Sequence, residues 1–142
     1  MSIPERQFNK DVVPRRLVDL RSPSRDRANL LIDLSVMSRQ VSSSISKKLS
    51  RHKINYNLWQ VLVTLWSEHA STPAAVAQHL QVEAATISRY LDHLESLGHI
   101  TRERSKADRR VVDIELSAKG VKAVEVGLRE MDDLSKKLAS KH

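Results

Sequence analysis

The chain has 142 residues, a length typical of one domain with its own hydrophobic core. Its 24 lysines and arginines exceed its 17 acids, and the formal net charge of +7 favours polyanions as partners. It has no cysteine and only three glycines, which excludes disulfides, thiolate metal sites, cysteine nucleophiles and a glycine-rich phosphate loop.

The first 23 residues are predicted to form a leading arm, because Pro4, Pro14 and Pro23 interrupt any regular helix. Two interpretations of this arm stay open. It is either a frayed terminus or a segment that crosses to a partner subunit through its apolar residues.

A long helix is predicted over residues 24–53, with Ser24 as its N-cap. Its apolar residues recur at steps of three and four, which forms a seam able to pack on other helices. They are Leu30, Leu34, Met37, Val41, Ile45 and Leu49. The serines at 42, 43 and 44 are expected either to be exposed or to line a cavity.

Two shorter helices follow. Asn55 is expected to cap the second helix, whose residues are too apolar for a surface element and are predicted to be core: Leu58, Trp59, Val61, Leu62, Leu65 and Trp66. Thr72 and Pro73 predict the start of a third helix, which ends at Leu80 and buries Val76 and Leu80. The first turn of that helix can offer backbone N–H groups to a phosphate.

The stretch from Val82 to Leu97 is predicted to be the recognition helix of a helix-turn-helix unit. One face is an apolar stripe of Val82, Ile87, Leu91, Leu94 and Leu97. The other face has small or hydrogen-bonding side chains and one long cation, which suits a major groove about 12 Å wide. Its residues are Ala84, Ala85, Thr86, Ser88 and Arg89. Gly98 is expected to take the left-handed conformation that ends a helix. Taken alone, this pattern also fits an ordinary amphipathic surface helix.

A β-hairpin is predicted next, from β-branched runs at residues 100–103 and 111–116 joined by the loop from Arg104 to Arg110. Residues 100–110 contain five cations against two acids, which fits a phosphate backbone or a narrow minor groove. Asp108 is expected to pair with Arg110 and hold its guanidinium at a fixed angle. A basic hairpin directly after such a helix indicates a winged helix.

Ser117 is expected to cap the last helix, which carries an apolar stripe of Val121, Val124, Leu128, Met131, Leu134 and Leu138. A single chain of this size would leave much of this stripe, and of the seam on the first helix, exposed to water. Exposed apolar strips of that extent mark an interface. We therefore expect a two-fold dimer joined by the first and last helices.

Three pieces of the sequence, in order, resemble the MarR family of prokaryotic transcription regulators. They are the run from Leu91 to Arg102, the Asp-Arg-Arg at 108–110 and the run from Leu116 to Gly120. The resemblance covers residues 54–120 without a gap. It implies one mainly α domain, residues 1–142, with a small β-hairpin wing. A winged helix-turn-helix DNA-binding lobe at 54–117 is flanked by dimerisation helices at 24–53 and 118–142, after the arm at 1–23.

Together the patterns and the resemblance predict a homodimeric, sequence-specific transcription regulator, a repressor, that binds an inverted repeat in double-stranded DNA. The expected DNA-binding residues on the helices are Thr72, Ala85, Thr86, Ser88 and Arg89, of which Arg89 contacts either a guanine or only a phosphate. The resemblance implies that Arg110 probes the minor groove, steadied by Asp108, and that Arg104, Lys106 and Arg109 meet phosphates. The alternatives are a low-specificity, nucleoid-like or counter-silencing DNA binder without an effector, and a winged helix that contacts RNA or protein.

The resemblance also implies a small aromatic or phenolic effector held between the dimer helices and the DNA-binding lobe. The candidate residues are Arg39, Ser43, Tyr56, Trp59 and Trp66, although tryptophans at helical spacing equally fit a core. No two histidines have the i, i+4 spacing of a helical metal site and no catalytic motif occurs, so we expect no metal, cofactor or enzymatic activity. No early apolar run resembles a signal peptide, and the longest apolar segment is too short to cross a bilayer. A cytoplasmic location without membrane contact is therefore expected.

Overall fold

A computed structural model describes the backbone of residues 25–140 and the side chains of residues 28–137. This part of the chain is mainly helical with one two-stranded antiparallel sheet, as predicted. In order, the elements are α1 (Arg25–Leu49), a 3-10 helix (Ser50–His52), α2 (Tyr56–Trp66), α3 (Pro73–Leu80), α4 (Ala84–Ser96), β1 (Ile100–Arg104), β2 (Val112–Leu116) and α5 (Ala118–Ser140). None of these helices is long and apolar enough to cross a membrane. The predictions for the arm at 1–23 and for the Ser24 cap lie outside the described residues.

The chain divides into two units, one ending at Arg39 and the other starting at Gln40, and helix α1 contributes residues to both. In the first unit, every described side chain is exposed. Six large apolar residues there are between 36% and 58% exposed: Leu30, Leu31, Ile32, Leu34, Val36 and Met37. Only the second-unit part of the predicted α1 seam is therefore buried in the single chain, through Ile45 and Leu49.

The second unit has an aliphatic core to which its α-helices and both strands contribute. Its fully buried apolar side chains include Ile45, Leu49, Leu62, Val76, Ile87, Leu91, Leu94, Ile100 and Val124. The Asn55 cap on α2 is confirmed, because its Oδ1 accepts a hydrogen bond from the Leu58 N–H at 3.0 Å. Two burial predictions were wrong. Trp66, the last residue of α2, is 47% exposed, and Leu80 is only half-buried, while Ala77 joins Val76 in the core.

Trp59 on α2 makes the contacts that pack α5 against α2. Its indole N–H donates to the Val124 carbonyl at 3.3 Å, and its ring lies so close to Gly127 that a methyl group there would overlap it. Glu130 on α5 is a buried acid, only 7% exposed. It accepts a hydrogen bond from the Ser44 hydroxyl at 2.6 Å, because α1 covers this side of α5 within the second unit.

The hairpin differs from its prediction by one residue on each strand. The pairing runs from Ile100 opposite Leu116 to Arg104 opposite Val112, so Arg104 belongs to β1 and Val111 to the loop. Ile114 is buried on β2, and its N–H donates to the Ser71 carbonyl at 2.8 Å. This bond ties the hairpin to the connection between α2 and α3.

Candidate nucleic-acid interface

Helix α4 has one buried and one exposed face, as its sequence predicted. Ile87, Leu91 and Leu94 have no exposed surface, since their spacing places them on the side that packs into the core. The opposite face is open to solvent at Ala85, Ser88 and Arg89, with Thr86 half-buried at its edge. The Arg89 guanidinium donates to the Thr86 hydroxyl at 3.4 Å, one turn earlier. The exposed face thus presents hydroxyls and one cation with no large apolar group.

Helix α3 begins as predicted and packs on α4. The Thr72 hydroxyl accepts a hydrogen bond from the Ala75 N–H at 3.3 Å, and Pro73 occupies the first helical position. The turn to α4 passes through Gln81, whose φ of 56° is left-handed. Nothing in the sequence signalled this conformation, because glycine or asparagine usually fills such a position. The two helices and this turn form the expected helix-turn-helix unit.

Helix α4 ends at a turn that also anchors α5. Gly98 has φ +79°, which confirms the predicted left-handed ending. Ser117 caps α5 by accepting a hydrogen bond from the Gly120 N–H at 3.1 Å, and its hydroxyl donates to the Gly98 carbonyl at 2.5 Å. Lys119 donates to the Leu97 carbonyl at 2.7 Å. The end of the recognition helix and the start of α5 are therefore held together by hydrogen bonds on the carbonyls that a helix terminus leaves unpaired.

His99 is the fully buried residue of this junction. Its Nε2 lies 3.2 Å from the His52 carbonyl, a geometry in which Nε2 donates, and Nδ1 then has no partner within the described residues. Burial lowers the pKa of His99 below its usual value, so the ring is neutral at pH 7. His99 is therefore part of the core, with no exposed surface.

The wing loop is closed by its own backbone. The Ser105 N–H donates to the Val111 carbonyl at 2.8 Å, and the Val111 N–H donates to the Asp108 carbonyl at 3.0 Å. The predicted pair of Asp108 and Arg110 forms. The Asp108 Oδ1 accepts a hydrogen bond from the Arg110 backbone N–H at 3.0 Å and lies 3.5 Å from the Arg110 Nε. The Arg110 side chain is nevertheless 93% exposed. Asp108 therefore fixes the base of this side chain and leaves the guanidinium open to a ligand.

Three more cations surround the wing loop. Arg104, Lys106 and Arg109, together with Ser105, line an open concavity of about 570 Å³. Across residues 28–137, these three cations form no ion pair. Their charge is available to an external anion.

Arg102 departs from the prediction that counted it among the wing cations. Its guanidinium bonds Asp92 and Glu95 on α4, at 2.7 and 3.0 Å. Arg102 lies near the middle of β1, so these bonds attach the wing strand to the second half of α4. The wing is thus joined to the helix that carries Thr86, Ser88 and Arg89. The sequence did contain a signal for this pairing, because acids three residues apart, such as Asp92 and Glu95, lie on one face of a helix and together attract a cation.

The residues predicted to hold an effector differ in accessibility. Trp59 is 3% exposed, stacks on Tyr56 with ring centroids 5.9 Å apart, and already uses its N–H on Val124. Ser43 and Trp66 are exposed. Arg39 is also exposed and belongs to the first unit.

Comparison with known proteins adds independent findings. Residues 54–112, from just before α2 into β2, match the model of the MarR family. The HTH-type transcriptional regulator MgrA of Staphylococcus aureus is 31% identical over 115 residues, which cover 80% of this chain and 76% of MgrA. The HTH-type transcriptional regulator TtmR of Methylorubrum extorquens is 33% identical over 72 residues. That match covers 51% of this chain but only 37% of the length of TtmR.

A solved structure with a similar fold is the S. aureus MepR–DNA complex. It superposes with a TM-score of 0.68 and 25% sequence identity, over 77% of this chain and 81% of MepR. MepR is bound to DNA in that structure.

Proposed function

This chain belongs to the MarR family of DNA-binding transcription regulators, and we propose that two copies bind an inverted-repeat operator as a homodimer and repress transcription there. The observation that carries the proposal is the placement of the wing. Arg102 joins β1 to Asp92 and Glu95 on α4, so an exposed basic loop is attached to the helix whose open face carries hydrogen-bonding side chains.

Each part of this surface has a proposed role. Ala85, Thr86, Ser88 and Arg89 enter a major groove, where Arg89 bonds a guanine edge. Thr72, at the start of α3, contacts a phosphate. Arg110 reaches into the adjacent minor groove while Asp108 holds its base, and Arg104, Lys106 and Arg109 meet phosphates. Apart from the half-buried Thr72 and Thr86, these side chains are exposed, and within the described residues only Arg110 and Asp108 of this set form an ion pair, which supports this assignment.

The dimer is supported by apolar surface that the single chain leaves uncovered. Leu31 and Ile32 on α1 are 50% and 58% exposed, and Met131 on α5 is 37% exposed. Burying such side chains against a second copy removes apolar surface from water. A two-fold dimer places its recognition helices about one helical turn apart, roughly 34 Å, which makes the target an inverted repeat. Sedimentation equilibrium of the purified protein tests the mass of the assembly.

The DNA-binding role is tested with an operator selected from random oligonucleotides. Arg110→Ala is expected to weaken operator binding by about 1–3 kcal/mol without changing the assembly mass. Arg51→Ala is the matched control, because Arg51 is exposed and forms no ion pair within the described residues. It also lies in the 3-10 helix, whose His52 carbonyl is bonded to His99 in the turn after α4. Equal losses in the two variants would refute a specific role for Arg110.

The ratio of the affinity for the selected operator to the affinity for random DNA distinguishes this proposal from a low-specificity, nucleoid-like DNA binder. A sequence-specific regulator binds its selected operator about 10³-fold or more tightly than random DNA of the same length, at one salt concentration. A ratio near one would favour the nucleoid-like alternative.

We propose further that a small aromatic or phenolic acid binds the protein and releases it from the operator. Trp66 supports it as an exposed indole that a ligand can reach, whereas Trp59 is enclosed. Salicylate is a suitable probe, with operator release and tryptophan fluorescence as readouts. The chain has two tryptophans, so Trp66→Phe leaves Trp59 as the sole reporter. Quenching that disappears in this variant assigns the ligand to Trp66, and a lack of operator release by salicylate would count against this part of the proposal.

A further inference from the structure

Arg102 is the wing-strand cation that faces the protein. Its Nη2 donates to the Asp92 Oδ1 at 2.7 Å and to the Glu95 Oε1 at 3.2 Å, and its Nε donates to the Glu95 Oε2 at 3.0 Å. Its side chain is 25% exposed, in contrast to the open guanidinium of Arg110. We name Arg102, Asp92 and Glu95 the wing brace.

The wing brace is stronger than an ordinary surface ion pair. A planar guanidinium that bonds both oxygens of one carboxylate and a second carboxylate is held in one orientation. The hydrogen bonds that Glu95 accepts from Arg102 lower the pKa of Glu95, and the bonds that Arg102 donates to Glu95 and Asp92 raise the pKa of Arg102. Glu95 and Arg102 therefore stay charged across the physiological range of pH.

The brace lies at the pair of residues where both strands of the hairpin are bonded to the rest of the protein. Arg102 is paired in register with Ile114, which is buried and bonded to Ser71. At this level one strand is attached to α4 and the other to the connection before α3. Beyond it, residues 105–111 carry exposed cations and are held by bonds within the hairpin. The angle between the wing loop and the recognition helix is thus set where Arg102 contacts α4.

We propose that Arg102 is a positioning residue for DNA binding, which holds the wing at the angle to α4 that lets helix and wing engage adjacent grooves together. The inference rests on the proposed function and adds a role that is distinct from phosphate contact. With the brace absent, the wing loop samples other orientations, and its cations lose their contacts as a group. Two carboxylates on the recognition helix also become unpaired beside a polyanion.

A double-mutant cycle on operator affinity separates the two roles. In the native background, Arg110→Ala is expected to weaken binding about 5- to 150-fold. In an Arg102→Ala background the same change is expected to cost about twofold or less, because Arg110 has already lost its position. Arg104→Ala is the matched control from the same strand. As an independent phosphate contact, it is expected to leave the effect of Arg110→Ala unchanged. Additive losses for Arg102 and Arg110 would overturn the proposal.

The salt dependence of binding is the second readout. A single phosphate contact contributes about 0.9 to the slope of log affinity against log salt. Arg104→Ala is expected to lower the slope by about that amount, and Arg102→Ala by about two or more, because several wing cations disengage together. A decrease near 0.9 in both variants would show that Arg102 is only another phosphate contact.

The variant Asp92→Asn with Glu95→Gln keeps Arg102 and removes the charges that hold it. The brace predicts weaker specific binding and a reduced effect of Arg110→Ala in this background. If Arg102 contacted a phosphate, losing two nearby acids would tighten binding instead, and that result would overturn the proposal.

Nuclear magnetic relaxation of the wing amides tests the brace without DNA. Arg102→Ala is expected to increase the mobility of residues 105–111, whereas Arg104→Ala leaves it unchanged. Unchanged mobility in Arg102→Ala would overturn the brace even if the protein binds its operator. If the native protein showed no preference for any operator, the proposed function would be refuted. The mobility measurement would still test the brace, because it needs no DNA.

Discussion

The contact between Trp59 and Gly127 predicts how much the substitution Gly127→Ala lowers the free energy of unfolding. A methyl group at Gly127 would lie 2.5 Å from the Trp59 Cζ2 and closer still to Cε2 and Nε1, far inside van der Waals contact. Trp59 is 3% exposed and bonded to the Val124 carbonyl, so any movement of the ring breaks this bond and disturbs the core around it. Gly127→Ala must therefore displace either the indole or helix α5, the helix that we propose mediates dimerisation.

The expected cost follows from three contributions. Overpacking a dense core costs about 1–3 kcal/mol, and losing the indole hydrogen bond costs about 0.5–1.5 kcal/mol. Because alanine has a higher helix propensity than glycine, it stabilises the helix by about 1 kcal/mol, which offsets part of this loss. The free energy of unfolding should fall by roughly 2 kcal/mol, which lowers the melting temperature by about 4–8 °C at this chain length. Urea denaturation followed by circular dichroism measures the loss. Glu125→Ala, at an exposed position of the same helix, should stay within about 0.5 kcal/mol.

A second background shows whether the indole is the cause. In Trp59→Leu the overlapping ring is gone, so adding Gly127→Ala should be neutral or stabilise the protein by up to about 1 kcal/mol. The same loss in both backgrounds would refute the steric argument, and so would an unchanged stability of Gly127→Ala in the native background.

Two further predictions concern buried polar groups. Burial lowers the pKa of His99 below the usual 6.5, so the unfolded chain takes up the proton at a higher pH than the folded chain. The free energy of unfolding should therefore fall as the pH drops below about 6.5, and His99→Gln should flatten this fall between about pH 7 and pH 5 in urea titrations. Superimposable pH profiles would contradict the reasoning. Ser44→Ala removes a donor from the buried Glu130 carboxylate and should cost about 1–3 kcal/mol in thermal denaturation. Exposed Ser43→Ala should cost little, and equal losses would argue against the bond.

Local chemistry allowed the framework to be predicted from the sequence. The caps at Asn55, Thr72 and Ser117 and the left-handed Gly98 all appear where they were expected, because each depends on a few neighbouring residues. The pair of Asp108 and Arg110 is local in the same way. The apolar period of α4 likewise fixed which of its faces is buried.

The remaining features depend on contacts between distant segments. The pairing of Arg102 with α4, the burial of Glu130 under Ser44 and the burial of His99 join residues that no short pattern relates. Trp66 was misplaced because it ends an apolar run that extends one residue beyond the core. The DNA contacts, the effector residues and the dimer stay predictions, since they involve molecules other than the single chain.

The two-faced character of α4 has a practical consequence for rewriting specificity. Ala85, Ser88 and Arg89 point away from the core, so they are candidates for replacement by a graft from another reader of DNA without loss of fold. Ile87, Leu91 and Leu94 must be retained for packing. Asp92 and Glu95 must be retained as well, although they look like ordinary surface acids. A grafted helix without them would have no carboxylates to bind Arg102 of the wing strand.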